Sequence, residues 1–425
     1  MSKSPAHKRL FHGFYTRCMV REAKLLRPRT PSTIVAITGS IGKTSTRDAI
    51  HTVLSAHATS RRNTKNFNLD LGVSRTVLGL SAAWGIPAKL RNIWRGLIAV
   101  LRPSMQPEYL VLEVGMEKVG DMGRYLWLKP EVIVYTRFPD VPSHVEFFPT
   151  AQSVMDEKLR LKDELAPDGL LVLNADDPKM DDITVVDGQR RMTFGVENSA
   201  DVTARNVRIA YEHELPVGVS ATVCHGGKEE DLLLRGTLGT HHIYPVLAAC
   251  AVGIGQGYSL KDVVAPFANH VGPRGRMRLL EGDSDTMLID DSYNASPDAI
   301  AAGIRTVQSL QLPGRVVLAL GDMLELGQFS EREHKRVGEL VSKKCDVFVA
   351  VGPKMSMAAD IVERELPACR VVRYADADVA AAHVSELMKP QDCIYIKGSG
   401  GTRMGAVTQA LVAENDRKYT ILIKH

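Results

Sequence analysis

The sequence predicts an α/β protein made of two doubly wound units. Three observations lead there. Short β-branched or aliphatic runs alternate with stretches of helical periodicity along most of the chain, the pattern of parallel sheets covered by helices. The first apolar run passes straight into a glycine-rich turn and a helical stretch. A break at Gly272-Pro273-Arg274-Gly275 separates one series of alternations from a second.

In order along the chain, residues 1–32 form a basic arm. Thr33-Ile-Val-Ala-Ile-Thr38 reads as a buried strand, followed by a helix from Lys43 to about Ala56. Further strands are expected at Tyr109–Val114, Val132–Thr136 and Leu170–Asn174, hairpins between about Val202 and Leu234, and a helix from about Ile243 to Gly253. Beyond the break, strands at Thr286–Asp290, Arg315–Leu320, Val347–Val351 and Ile394–Lys397 alternate with helices near Pro297–Leu310, Glu331–Lys343 and Val379–Met388. The expected domains are therefore 33–275 and 276–425. His334 is expected to be a helix-start residue with Ser330 as N-cap.

A chain of 425 residues is long enough for two or three domains, and 44% apolar with 24% charged residues is a globular balance. No apolar run approaches the ~20 residues of a membrane span. Met1 to Arg9 has no apolar core of a secretory signal, and the six cysteines lack any CxxC spacing. A cytoplasmic protein without zinc-ribbon or thioredoxin chemistry is expected. Residues 1–30 hold eight basic residues against Glu22 alone, a net of +7, which leaves the rest of the chain at −3. Basicity confined to an arm argues against a nucleic-acid partner.

The sharpest motif is Thr38-Gly39-Ser40-Ile41-Gly42-Lys43-Thr44-Ser45. Between a strand and a helix, its backbone N–H groups and the helix dipole can cradle phosphates. Lys43 would reach the terminal phosphates of ATP and Thr44 would place its hydroxyl on Mg²⁺. Ile37 stands where a full Walker A has its first glycine. Tyr109-Leu-Val-Leu-Glu113-Val-Gly115 is an apolar strand ending in a carboxylate, placed like a Walker-B acid; alone it reads equally well as a solvent-facing strand end.

The loop, then Asn66-Phe67-Asn68 with Gly72, Leu112-Glu113-Val114-Gly115, Thr136 to His144-Val-Glu-Phe-Phe148, and Glu157-Lys158 together resemble the ATP-dependent Mur ligases. Asn174-Ala-Asp-Asp-Pro178, Thr193-Phe-Gly195, Asp290-Asp-Ser-Tyr-Asn-Ala-Ser-Pro297 and Leu320-Gly-Asp-Met-Leu-Glu-Leu-Gly327 look most like the D-alanyl-D-alanine-adding branch of that family. The resemblance implies a central P-loop-type ATPase domain followed by a Rossmann-like C-terminal domain. It further implies an ATP- and Mg²⁺-dependent ligase that makes an acyl phosphate of a cell-wall peptide precursor and adds D-Ala-D-Ala or a similar amine. On the same basis Gly39, Ser40, Gly42, Lys43, Thr44, Ser45, Asn66, Arg276, Asp291, Tyr293 and Asn294 are expected nucleotide contacts. Thr44, Glu113, His144 and Lys158 are expected metal ligands, Lys158 as a CO2-derived carbamate, and Lys43, Glu113, His144 and Lys158 are expected to be catalytic. Taken singly, His144 reads as a loop or core histidine and Lys158 as a solvated helix lysine.

Departures from the pattern are also present. Fewer than forty residues precede the loop, where the family has a UDP-sugar-binding domain. His242 and Pro245 replace two asparagines, Gly400 and Gly405 replace an arginine and a glutamate, and Arg160 replaces an acid. The competing readings are a folylpolyglutamate-synthase-like ligase and a non-catalytic P-loop regulatory partner of a cell-wall complex. Thr44 in the loop disfavours the first and the intact Lys43, Glu113, His144 and Lys158 the second. Finally, Phe11, Phe14, Tyr15, Cys18 and Leu25 recur at helical spacing among basic residues, and Trp94, Leu97, Ile98 and Leu101 share a helical face beside Arg91 and Arg95. Segments 1–30 and 84–101 are therefore expected to touch the inner face of a membrane, the alternative being that they pack on the protein.

Overall fold

Five-residue runs of aliphatic side chains set the architecture, because a strand apolar on both faces must be covered on both. The computed structural model describes residues 6–64, 68–142, 144–414 and 416. Its contacts divide the chain into two discontinuous units, 1–138 with 152–203 and 245–266, and 139–151 with 204–244 and 267–425.

In the first unit, α1 (Ala6–Leu26) precedes β1 (Thr33–Thr38), α2 (Lys43–Ser55), β2 (Ser60–Arg62), α3 (Asp70–Val77) and α4 (Gly85–Leu101). Then come β3 (Tyr109–Glu113), β4 (Val132–Tyr135), α5 (Ala151–Leu159), β5 (Leu170–Asn174), β6 (Arg190–Gly195), α6 (Ile243–Gly255) and α7 (Leu260–Val264). The strand order is β2-β3-β1-β4-β5-β6, all parallel. β1 lies in the middle with Ile34 to Ile37 fully buried. The β1–β3 register sets Ile37 opposite Glu113, which brings the end of β3 beside the loop that follows β1.

The second unit holds most of β7 (Val202–Glu212), the antiparallel pair β8 (Leu215–His225) and β9 (Lys228–Arg235), and a six-stranded sheet. The sheet is built from β10 (Arg278–Gly282), β11 (Thr286–Asp291), α8 (Pro297–Ser309), β12 (Val316–Gly321), α9 (Ser330–Val341), β13 (Val347–Val351), α10 (Ser356–Glu365), β14 (Arg370–Tyr374), α11 (Ala377–His383), β15 (Cys393–Lys397) and α12 (Gly405–Leu411). Its order is β10-β11-β15-β12-β13-β14, parallel except for the antiparallel edge strand β10. Separate apolar clusters cover its two faces.

Two sequence expectations change. Ser330 is not the N-cap of its helix but its first helical residue, Phe329 being the cap. His334 is fully buried there: Nε2 accepts from the Met323 N–H at 3.0 Å and Nδ1 lies 2.6 Å from the Ser330 carbonyl, so the ring fixes the turn after β12. The arm's apolar residues do not form one face either. Tyr15, Met19, Ala23 and Leu26 are buried where α1 packs on α3 and α4, whereas Phe14 and Leu25 are exposed.

Glu22 lies on the buried side of α1, close enough to α4 that a Cβ on Gly96 would meet its Oε2. That oxygen has no hydrogen-bond partner among the described residues, and burial pushes the carboxyl up to about 7. Between the unfolded value of about 4.3 and 7, the folded chain binds the extra proton, so stability falls as pH rises through this window. Glu22→Gln should raise the thermal transition by roughly a few degrees at about pH 8 and leave it unchanged near pH 4, as read by circular dichroism.

Candidate active site

The loop after β1 takes its shape from two glycines in the left-handed half of backbone space, Gly39 (φ 135°) and Gly42 (φ 85°). A Cβ on Gly39 would stand 2.1 Å from Thr136 Oγ1, so only glycine fits between β1 and the end of β4. The Ser40 N–H donates to the Arg137 carbonyl at 2.8 Å, which pins the turn. Gly42 caps α2 without a side chain, and nothing lies within 4 Å of where its Cβ would be. Lys43, Thr44 and Ser45 form the first turn of α2, at the positive end of its dipole. The loop thus fits a polyphosphate. Lys43 Nζ donates to the Gly39 and Ser40 carbonyls at 3.0 and 3.2 Å.

Glu113 is 3% exposed, and a carboxylate so buried must be hydrogen-bonded. Oε2 accepts from Thr44 Oγ1 at 3.0 Å and from Arg47 at 3.3 Å, and Oε1 accepts from Asn68 Nδ2 at 3.0 Å. Its backbone N–H and C=O are both bonded by the Asn63 side chain, at 2.9 and 2.8 Å. Arg47 also pairs with Asp48 at 2.6 Å, and Asp48 with Arg62 at 2.9 Å. Arg47, Asn63 and Asn68 were not singled out as site residues from sequence. Arg47 was findable, one turn beyond Thr44 on the same helix face; Asn63 needed the fold.

Lys158, on α5, is also buried, and its Nζ donates to Ser40 Oγ at 2.9 Å. Burial and the neighbouring Lys43 charge hold its ammonium well below the usual lysine range. Tyr135 OH donates toward the Lys158 and Leu159 carbonyls at 3.3 and 3.1 Å, tying the end of α5 to β4. The first unit therefore brings together Gly39, Ser40, Gly42, Lys43, Thr44, Ser45, Glu113 and Lys158. Asn66 lies outside the described residues.

The second unit contains the remaining candidates. His144 Nδ1 lies 2.5 Å from Glu325 Oε2, and both residues have left-handed backbones, at φ 67° and 61°. The Arg276 guanidinium stacks 3.9 Å from the centre of the Tyr293 ring. Asp291 Oδ2 accepts from Lys397 Nζ at 2.6 Å and from Tyr395 OH at 3.0 Å; Lys397 also donates to the Asn294 carbonyl at 2.9 Å, and Asn294 Oδ1 accepts from the Gly400 N–H at 3.3 Å. Burial lowers the Lys397 ammonium while Asp291 opposes the shift. Lys397 ties Asp291 and Asn294 into one network, a role not read from the sequence. His242 is buried, and burial with the nearby His241, Arg276 and Lys397 charges pushes it well below its ordinary value.

The Mur ligase middle domain family model matches residues 37–253, and the Mur ligase glutamate ligase domain model matches 275–400. The UDP-N-acetylmuramoyl-tripeptide–D-alanyl-D-alanine ligase of Bacillus subtilis is 27% identical over 381 residues, covering 89% of this chain and 76% of the relative. That of Escherichia coli is 28% identical over 398 residues, covering 92% and 79%. Among solved structures, MurF from Acinetobacter baumannii superposes with a TM-score of 0.75 at 23% identity, covering 92% and 79%. Folylpolyglutamate synthase of Mycobacterium tuberculosis superposes with 0.65 at 18%, covering 92% and 95%, a likeness of fold.

The Asp291–Lys397 pair yields a direct test. Lys397→Met should destabilise the chain by about 3–5 kcal/mol in chemical denaturation, because it leaves a buried carboxylate uncompensated. Adding Asp291→Asn should recover part of that loss.

Proposed function

Since the chain belongs to the Mur ligase family, we propose that it is an ATP-dependent, ADP-forming ligase that activates a carboxylate as an acyl phosphate and joins it to an amine. The amine by similarity is D-Ala-D-Ala and the acceptor a peptidoglycan precursor. The single observation that carries the reading is the convergence in one unit of a phosphate-shaped loop, the Thr44–Glu113 contact and a buried lysine bonded to the loop itself. The folylpolyglutamate-type alternative is weaker, because the segment Asp290 to Pro297 and Thr44 follow the D-Ala-D-Ala-adding pattern. In sequence terms the domains are proposed as 33–275 and 276–425, although 139–151, 204–244 and 267–275 of the first group by their contacts with the second.

Each residue has a role that its surroundings support. The N–H groups after Gly42 hold phosphate oxygens, and Lys43, released from the two loop carbonyls, neutralises them. Thr44 and Glu113 offer an adjacent hydroxyl and carboxylate, the oxygen donors that Mg²⁺ takes in small number alongside phosphate and water. Mg²⁺, when bound, would offset the charge that builds where an anionic carboxylate meets the γ-phosphate. Arg47 and Asn68 keep the Glu113 carboxylate turned toward Thr44. Lys158 is proposed to be carbamoylated: burial favours its uncharged amine, whose lone pair can bond the carbon of CO2 as a proton leaves, turning a cation into an anion. His144 is proposed as a further metal ligand through Nε2, with Glu325 fixing its Nδ1 side, as carboxylates do for metal-binding imidazoles. Arg276, Asp291, Tyr293 and Asn294 are assigned to the nucleotide by resemblance. The enzyme is further taken to be cytoplasmic and peripheral to the inner face of the membrane, through residues 1–30 and 84–101.

Phosphate release from ATP, measured with UDP-linked and lipid-linked peptide acceptors with and without D-Ala-D-Ala, tests the reaction. Release that requires both acceptor and amine is expected; release indifferent to both would end the ligase reading. Lys43→Ala should lose about 10²–10³ in rate, the usual loss for a contact to a transferring group. Lys158→Ala should abolish ligation while ATP still binds, and bicarbonate depletion should slow the unmodified enzyme. A fully active Lys158→Ala enzyme would rule out the carbamate.

A further inference from the structure

α4 is built the wrong way round for a helix that only packs on its own protein. Ile86, Leu90, Trp94, Leu97 and Leu101 fall within one narrow arc of the helix, because steps of three and four residues return to the same side. All five are exposed, Trp94 at 65% and Leu101 at 76%, while Asn92, Gly96 and Val100, on a separate arc of the helix, are buried. The stripe spans four turns, about 22 Å at 1.5 Å per residue. Trp84, 81% exposed, extends it beyond the helix start. Monomeric proteins rarely leave so long an apolar strip in water.

The charges around the stripe select what covers it. α4 carries Lys89, Arg91 and Arg95, is followed by Arg102, and contains no acidic residue. Arg91, Arg95 and Arg102 are exposed, as are Arg17, Arg21 and Lys24 on α1, which packs against α4. The acidic residue of α1, Glu22, is turned into the helix contact and offers nothing to the surface. A second copy of the chain would bring the same cations face to face and is disfavoured. An anionic bilayer surface fits both features: leucines and tryptophans enter the headgroup boundary while arginines reach lipid phosphates. No helix among the described residues is long and apolar enough to cross a membrane, so α4 would lie on the surface.

We propose that the outer face of α4, flanked by the exposed cations of α1, docks the protein on anionic phospholipid. This rests on the peripheral-membrane reading above and sharpens it, since it assigns the contact to α4 and treats α1 as a packed support. It is independent of the ligase chemistry.

The test is co-sedimentation of the full chain with vesicles of phosphatidylcholine alone or with about a third phosphatidylglycerol, with ATP binding measured on the same preparations. The unmodified chain should partition at least tenfold more strongly onto the anionic vesicles, and salt should weaken it. Trp94→Ser with Leu97→Ser should lower that partition roughly tenfold or more, and so should Arg91→Glu with Arg95→Glu. ATP binding should be unaltered in both, which shows that the variants are folded. Binding that persists in both α4 variants but is lost in Arg17→Glu with Arg21→Glu would overturn the assignment to α4 and leave the peripheral reading standing. Absence of binding to anionic vesicles, or a dimer that Trp94→Ser dissolves, would overturn the proposal. Failure of ATP binding in the unmodified chain would count against the ligase reading alone.

Discussion

A carboxylate buried at the end of a parallel strand is the constraint around which the first unit is arranged. The Glu113 carboxyl is almost out of water, a placement that is costly unless its oxygens find hydrogen-bond donors. Thr44 and Arg47, from the helix after the loop, and Asn68, just before α3, donate to the carboxylate, while Asn63 at the strand-end next door bonds the backbone N–H and C=O of the same residue. Satisfying one side chain therefore fixes the relative positions of β3, α2 and the segment leading to α3. The same set aims Glu113 at Thr44, the geometry required if both are to share a cation with a phosphate.

Lysine placement is the second theme. Three lysines occupy three electrostatic situations. Lys43 lies over its own loop carbonyls, to which its ammonium donates. Lys158 is buried against a serine hydroxyl with another cation nearby, which disfavours its charge. Lys397 is equally buried, but the Asp291 carboxylate 2.6 Å away opposes the cost. A buried amine with no anion beside it among the described residues has chemistry open to it that a paired one lacks. A paired one serves as a cross-link between strand and turn, here β15 and the residues after β11.

The outer surface follows a different rule. α1 and α4 hide small or aromatic residues toward the unit, Ala23, Gly96 and Tyr15, with Asn92 donating to the Tyr15 hydroxyl at 3.1 Å. Close approach at Gly96 leaves the large apolar residues of α4 on the far side. Periodicity alone marks an amphipathic helix but does not say which of its faces is turned inward.

The sequence by itself determined the local and ordered features. Alternating aliphatic runs gave the parallel strands because burial on both faces demands such composition. The glycines of the loop were legible because left-handed backbone admits little else, and the nearness of Thr44 to Glu113 because a glycine-rich turn after one strand and an acid at the end of its neighbour lie at the same edge of the sheet. Tertiary structure decided what depends on pairing between distant segments. The antiparallel edge strand β10 and the outer strand β14 were not read, since both are short and only half apolar. Asn63 and Lys397 emerged as network residues only when register set them beside Glu113 and Asp291. His334, expected at a helix start, proved to be a buried support for the turn after β12. The inward turn of Glu22 and the outward turn of Trp94 were likewise set by how α1 crosses α4, a contact that no periodicity in either helix encodes.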